Sequence, residues 1–219
     1  MPGPLPFVTL KLATSLDGRI ATSSGESRWI TGEAARREGH RLRAAHDAVL
    51  VGSGTVLADD PELTVRLDTP TPPQPLRIIA DGRARTPETA RLFSTLELGP
   101  VAVATLDAGR RWPEGVSVWR LSPGPEDGAL PPQSVLEAAA KAGVSSVLIE
   151  GGGVLAGAFM RAGLVGRLEW FRAPILLGAR GRPCVGDLHL DALADAPVFV
   201  RREVRSIGRD LWETYERDV

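Results

Sequence analysis

Cysteine is nearly absent from this chain: of 219 residues only Cys184 carries a thiol. An internal disulfide is thereby excluded, and a reducing, cytoplasmic compartment is the expectation. Zinc is excluded with it, because a zinc site takes several Cys/His ligands at short spacing. His40 and His46 stand six apart, on different faces of any helix, and His189 is remote from both. A zinc deaminase needs a His-x-Glu and a Pro-Cys-x-x-Cys, whereas Pro183-Cys184 stands alone, so no metal is expected. An excess of one charge is also missing. The 26 Lys+Arg and 27 Asp+Glu are mixed along the chain, which leaves no footprint for nucleic acid. No apolar run nears the roughly 20 residues of a membrane span. The start, Met-Pro-Gly-Pro-Leu-Pro, lacks the charged and apolar regions of a signal peptide.

What is present is an ordinary globular composition, 43% hydrophobic, which suffices for one sizeable core. A single domain over 1–219, with its core at about 5–215, is the expectation. Alternation predicts a strand at 7–13, with Val8, Leu10 and Leu12 on one face and Thr9, Lys11 and Ala13 on the other. Thr31 is placed to cap a helix over 32–45. Further strands are predicted at 48–51, 76–80, 100–105, 116–121, 147–149, 167–173, 198–205 and 211–215. The proline-rich 68–75 and the Pro/Gly stretch 122–132 read as loops. Ser134-Val-Leu-Glu137 has the form of a capping box opening a helix that ends at Gly143. Strands alternating with helices imply an α/β sheet, mostly parallel, with an antiparallel C-terminal hairpin.

The densest signal is the run from Ser146 to Phe159, SVLIEGGGVLAGAF. A short apolar strand ends in Glu150 and three glycines, and a helical segment follows at once. Strand, glycine turn and helix start together bring backbone N–H groups up to a phosphate, and a carboxylate at a strand's end sits where open sheets bind ligands. The pattern is neither GxGxxG nor a P-loop. A glycine corner that merely permits tight packing accounts for it equally well.

Four more segments accompany it: KLATSLDGRIA from Lys11, GESRWITG from Gly25, Arg41-Leu-Arg43 leading into DAVLVGSGTVLADDPELTVR from Asp47, and ILLGARGRP from Ile175. In this order, over about residues 5 to 215, they resemble the reductase domain of bacterial riboflavin biosynthesis proteins. The resemblance implies a dihydrofolate-reductase-like three-layer α/β fold and the NADPH-dependent reduction of 5-amino-6-(5-phosphoribosylamino)uracil to its ribityl product. It implies an NADPH site at Ala13, Trp29, Thr55, Asp59, Gly82, Gly152, Gly153, Val154, Leu155, Ala156, Gly157 and Ala158. Ser27, Arg43, Leu63, Arg66 and Glu150 match positions that hold the substrate. It further implies a homodimer and, since no deaminase segment is recognised here, a substrate supplied already deaminated by a separate partner.

The chemistry suits these assignments. Guanidinium forks match phosphate oxygens, so Arg43 and Arg66 are apt clamps, although the pair also fits a glutamate tail. Glu150, an acceptor when ionised, can take the uracil's N–H donors or the turn's own amides. Lys11, on the Ala13 face, is either the cation that assists hydride transfer or a solvated edge-strand lysine. Asp59 is a second candidate for orienting the reactants. Asp60 suits the turn before Pro61, and Arg83 or Arg85 can meet a 2′-phosphate. A reductase of a pterin, folate or other heterocycle, and a non-catalytic nucleotide-binding partner, stay open beside the main reading. The charged strand Arg167-Leu-Glu-Trp-Phe-Arg departs from the plain apolar strand of the family.

Overall fold

A computed structural model describes residues 3–67, 74–124 and 128–218. The loops expected at 68–75 and 122–132 therefore lie partly outside the described residues. In chain order the elements are β1 (Phe7–Thr14), β2 (Arg19–Ala21), α1 (Glu33–Ala44), β3 (Ala48–Gly52), α2 (Ser53–Asp59), β4 (Leu76–Ala80) and α3 (Arg91–Ser94). There follow β5 (Val101–Thr105), β6 (Ser117–Arg120), α4 (Pro132–Lys141), β7 (Ser146–Glu150), α5 (Gly153–Arg161), β8 (Arg167–Arg172), β9 (Arg182–Pro183), β10 (Phe199–Ile207) and β11 (Asp210–Arg217). No helix among the described residues is long and apolar enough to cross a membrane.

The chain forms two compact units. The first holds residues 1–7 and 40–148, the second 8–39 and 149–219. Strands of the first unit run in the order β7-β3-β4-β5-β6, and β3, β4, β5 and β6 pair in parallel. Val49, Val51, Ile79, Val101 and Val103 share one face of this sheet and pack with Val56, Leu63, Leu92 and Phe93 into a continuous core. Near-continuous apolar strands of this kind are what a parallel sheet covered on both faces requires. Asp47, just before β3, accepts hydrogen bonds from the amides and hydroxyls of Ser145 and Ser146. Those bonds, that of the Ser145 hydroxyl foremost, hold its carboxyl below the usual range.

Helix α4 corrects the capping-box expectation. Pro131 is the N-cap and no side chain caps the helix. Proline at the first position has no N–H to leave unsatisfied and its φ is preset for the helix, so the start moves ahead of Ser134. Glu137 accepts from Gln133 Nε2 instead of reaching back. The C-terminal end is as expected: Gly143 has φ +84, and Gly143 N and Val144 N donate to Ala140 O and Ala139 O, a Schellman closure.

In the second unit the order is β10-β11-β8-β1. Strand β1 pairs in parallel with β8, while β11 is antiparallel to both β8 and β10, with Gly208 at φ +59 in the hairpin turn. The fold is α/β, mostly parallel, with antiparallel C-terminal strands. The charged character of β8 has its explanation here. Glu169, 1% exposed, accepts from Arg167 Nε at 2.6 Å, Trp212 Nε1 at 2.6 Å and Thr214 Oγ1 at 2.8 Å. Arg172 Nε donates to Glu213 at 2.6 Å, and the Tyr215 hydroxyl donates to the same carboxylate at 2.9 Å. Buried carboxylates are tolerated when donors meet them, and β8 and β11 together supply those donors. Trp212 also stacks on Phe171 at 5.2 Å, and Trp170 Nε1 bonds Thr14 Oγ1 at 2.8 Å. Both indoles are therefore committed inside this unit.

Candidate functional site

In the second unit, β7 ends at the buried Glu150, and the chain reverses through Gly151 at φ +74 and Gly152 at φ +85. Those angles are freely open to glycine alone. Helix α5 begins at Gly153 with Gly152 as its N-cap and no side-chain cap, so the first amides of α5 have no acceptor within the helix. Val154, in this first turn, is 86% exposed.

The remainder of the run has a packing reason as well. A β-carbon on Gly153 would stand 2.5 Å from Pro183 O, and one on Gly157 would meet the Gly186 backbone at 3.2 Å. Gly186 N donates to Gly153 O at 2.7 Å. The two readings of the glycine corner thus divide by residue. Gly151 and Gly152 make the turn, while Gly153 and Gly157 admit the 183–186 strand of chain. Ala156 is buried, and Leu155 and Ala158 are half-buried.

Lys11 and Ala13 lie half-buried on β1. The Lys11 ammonium is 5.8 Å from the Phe171 ring centroid, and its Cε lies 3.8 Å from where a Gly39 β-carbon would be. This is not the solvated edge position that its spacing also allowed. Beyond β1, Asp17 ties two loops together: Oδ1 accepts from Ser15 Oγ at 2.6 Å and Leu177 N at 3.1 Å, and Oδ2 from Gly178 N at 2.8 Å. The Ser15 hydroxyl, with the Leu177 and Gly178 amides, lowers the Asp17 pKa to about 2. Ser27 is half-buried. Trp29 is 66% exposed with the Arg36 guanidinium over its ring at 4.4 Å. Arg36 Nη1 bonds Thr31 O, and at the entry to α1 the Gly32 amide donates to Asp210 Oδ2 at 2.6 Å. Cys184 is buried, and burial pushes its thiol pKa up, which suits packing and not reactivity.

In the first unit, Thr55 and Asp59 lie on α2, and Gly82 follows β4, its O accepting from Leu106 N. Residues 60–66 then bring three predicted substrate positions together. Leu63 has φ +57 and a side chain 3% exposed in the core, so what it can offer a ligand is backbone. Arg43 Nη1 donates to Thr64 O at 2.9 Å. Arg66 is 58% exposed in its side chain and bonds Glu62 at 3.2 Å, while its amide donates to His40 Nδ1 at 3.1 Å. Glu62 also holds Arg91. Asp60 makes the turn expected before Pro61, as the C-cap of α2 at φ +40 with its amide donating to Val56 O, and its Oδ1 also accepts from Arg91 N at 2.8 Å at the start of α3.

The turn after β4 is equally fixed. Asp81 Oδ2 accepts from both Thr86 N and Thr86 Oγ1 at 2.7 Å, and Arg110 grips Ala84 O and Thr86 O. Ala84 is held at φ +49. Arg83 and Arg85 are exposed, with Arg85 Nη2 bonded to Ser53 Oγ at 2.8 Å. The supporting parts of Asp17, His40 and Arg110 escaped the sequence reading, because each acts on backbone far away in the chain and no local pattern announces it.

The RibD C-terminal domain model matches residues 6–211. The riboflavin biosynthesis protein RibD of Escherichia coli (strain K12) is 41% identical over 219 aligned residues, 94% of this chain and 58% of that one. A solved structure from Thermotoga maritima, a diaminohydroxyphosphoribosylaminopyrimidine deaminase/5-amino-6-(5-phosphoribosylamino)uracil reductase, is 28% identical at a TM-score of 0.83, covering 98% of this chain and 57% of that one. Dihydrofolate reductase from Enterococcus faecalis has the same fold more distantly, at 14% identity and a TM-score of 0.53, covering 97% of each chain. The chain spans less than two thirds of the E. coli and T. maritima proteins. On a match running almost from end to end, it belongs to the RibD C-terminal domain family.

Proposed function

We propose that this chain reduces 5-amino-6-(5-phosphoribosylamino)uracil to the ribityl compound with NADPH, the reductase step of riboflavin biosynthesis. The observation that carries the reading is the exposed, uncapped start of α5 behind the positive-φ glycines, next to the buried Glu150. Family membership and the reductase activity in the T. maritima protein's name support it.

The residues present fit a pyridine nucleotide. The first amides of α5 suit a pyrophosphate. Arg83 and Arg85, exposed on a rigid turn at the carboxyl end of a parallel strand, suit a 2′-phosphate and so favour NADPH over NADH. When bound, NADPH supplies hydride at nicotinamide C4. The protein's own share is alignment and charge. Glu150 takes donors of the uracil ring, Lys11 keeps a cation on the β1 face, and Arg66 with Arg43 receives the sugar phosphate at the 60–66 loop. For phosphate to bind there, the exposed Arg66 exchanges its half-buried partner Glu62 for a dianion, a substitution favoured by charge. The homodimer, the cytoplasmic setting and prior deamination of the substrate by a partner belong to the same proposal. Steady-state turnover tests it: NADPH oxidation coupled one-to-one to ribityl product is expected. Binding of NADPH with no turnover of this substrate refutes it.

A further inference from the structure

An arginine on an otherwise apolar strand face needs a reason. Arg77 is fully buried on β4, on the face of Ile79 and between Val49 and Val101 of the neighbouring strands. A guanidinium survives there only if acceptors take up its protons. Nη1 donates to Glu62 O at 3.0 Å and to Thr95 Oγ1 at 2.9 Å. Nη2 donates to Thr95 O at 2.8 Å and to Gly99 O. Nε is buried and has no partner among the described residues. A valine would continue the apolar face without any desolvation cost, so the contribution of the arginine lies in what it grips.

It grips the root of the loop that carries Arg66. Leu63, directly after Glu62, sits at φ +57, a conformation that a branched, non-glycine residue keeps only when its surroundings over-determine it. From the outside the loop is held by Gln74, which pairs with Val65 N at 2.7 Å and Val65 O at 3.2 Å. Arg43 on Thr64 O and His40 on Arg66 N complete that side. Arg77 holds it from the core, and ties it to Thr95 and Gly99 ahead of β5. Freed from Arg77, the Glu62 carbonyl lets Leu63 relax toward negative φ, and residues 64–66 move with it.

We infer that Arg77 is a positioning residue for the substrate: it fixes the 62–66 backbone and thereby aims Arg66 at the sugar phosphate. This inference rests on the proposed role of Arg66. The test pairs Arg77→Lys, which keeps the charge but reaches fewer acceptors, with the milder Thr95→Val, which removes only the hydroxyl acceptor. Amide hydrogen exchange of the full chain is read beside kinetics. In Arg77→Lys, exchange at residues 63–66 is expected to quicken by about tenfold or more while β3, β4 and β5 stay protected. KM for the phosphoribosyl substrate is expected to rise about tenfold, with kcat and the NADPH KM within about twofold. Thr95→Val is expected to shift the same quantities in the same direction by less, and it decides the matter if Arg77→Lys does not fold. Unchanged exchange at 63–66, or protection lost uniformly through the unit with both KM values rising together, overturns the inference. An inactive wild-type protein would refute the reductase reading, and the exchange comparison would still decide on Arg77.

Discussion

Gly153 and Pro183 are in a contact that leaves no room for a side chain: a β-carbon on the glycine would lie 2.5 Å from the proline carbonyl oxygen. The obstacle is backbone, further fixed by the Gly186 N bond to Gly153 O at 2.7 Å, so it cannot rotate away. Gly153→Ala is expected to destabilise the fold by about 1–3 kcal/mol, the usual cost of overpacking. Denaturant unfolding measures it. A midpoint equal to wild type would mean that the 183–186 segment yields freely.

Arg66→Ala is expected to raise the substrate KM about tenfold or more, the loss of one charge-assisted contact of about 1.5–3 kcal/mol, with kcat little changed. A dephosphorylated substrate should show no difference between variant and wild type. Equal losses with both substrates would remove the phosphate assignment.

Glu150→Gln keeps the shape of the side chain at the end of β7 and turns half of an acceptor into a donor. Substrate handling is expected to fall by about one to two orders of magnitude, as for a lost hydrogen bond to a charged group, while NADPH affinity measured by fluorescence titration stays within about twofold. Parallel loss of both affinities would place Glu150 in the turn and not on the substrate.

Arg85→Ala is expected to erode cofactor choice: kcat/KM with NADPH drops about tenfold or more, and kcat/KM with NADH barely moves. An unaltered NADPH to NADH ratio in both Arg85→Ala and Arg83→Ala would take the 2′-phosphate away from this turn.

Asp17 gives a pH prediction. Its carboxyl pKa is lowered from 3.8 to about 2 by the Ser15 hydroxyl and the Leu177 and Gly178 amides. A depressed carboxylate stabilises the native state above its unfolded pKa and loses that contribution as pH falls toward the folded value. The 15–18 and 175–178 loops should therefore part between about pH 4 and pH 2. Asp17→Asn should flatten that part of the stability curve. A variant with wild-type acid sensitivity would show that other groups set it.

How much of this was legible in the chain depends on whether the cause was local. The strands at 48–51 and 147–149 were legible because short apolar runs that end at polar residues or glycine have few alternatives, and 76–80 was legible despite Arg77 because Asp81-Gly82 closes it. The hairpin 198–215 was legible from Gly208. Helix α2 was not, since it follows β3 directly at Ser53 and is set by the packing of Val56 into the core. The capping box failed because Pro131 and Pro132 start α4 before Ser134 can act. At the site, the residue types on the 60–66 loop and the glycine turn were visible. Their supports were not. Asp17 acts across about 160 residues and Arg77 across 15 to 22, and neither has a sequence pattern that distinguishes it from a turn aspartate or a solvated arginine.

Transfer of hydride from the nicotinamide to the sugar carbon can be followed by isotopic labelling. NADPH deuterated at nicotinamide C4, on the face from which hydride leaves, is incubated with enzyme and 5-amino-6-(5-phosphoribosylamino)uracil, and the product is analysed by mass spectrometry and NMR. One deuterium is expected in the product, carried on the ribityl carbon bonded to the pyrimidine's amino nitrogen. Unlabelled product from either deuterated epimer, or label found on the ring, would contradict it.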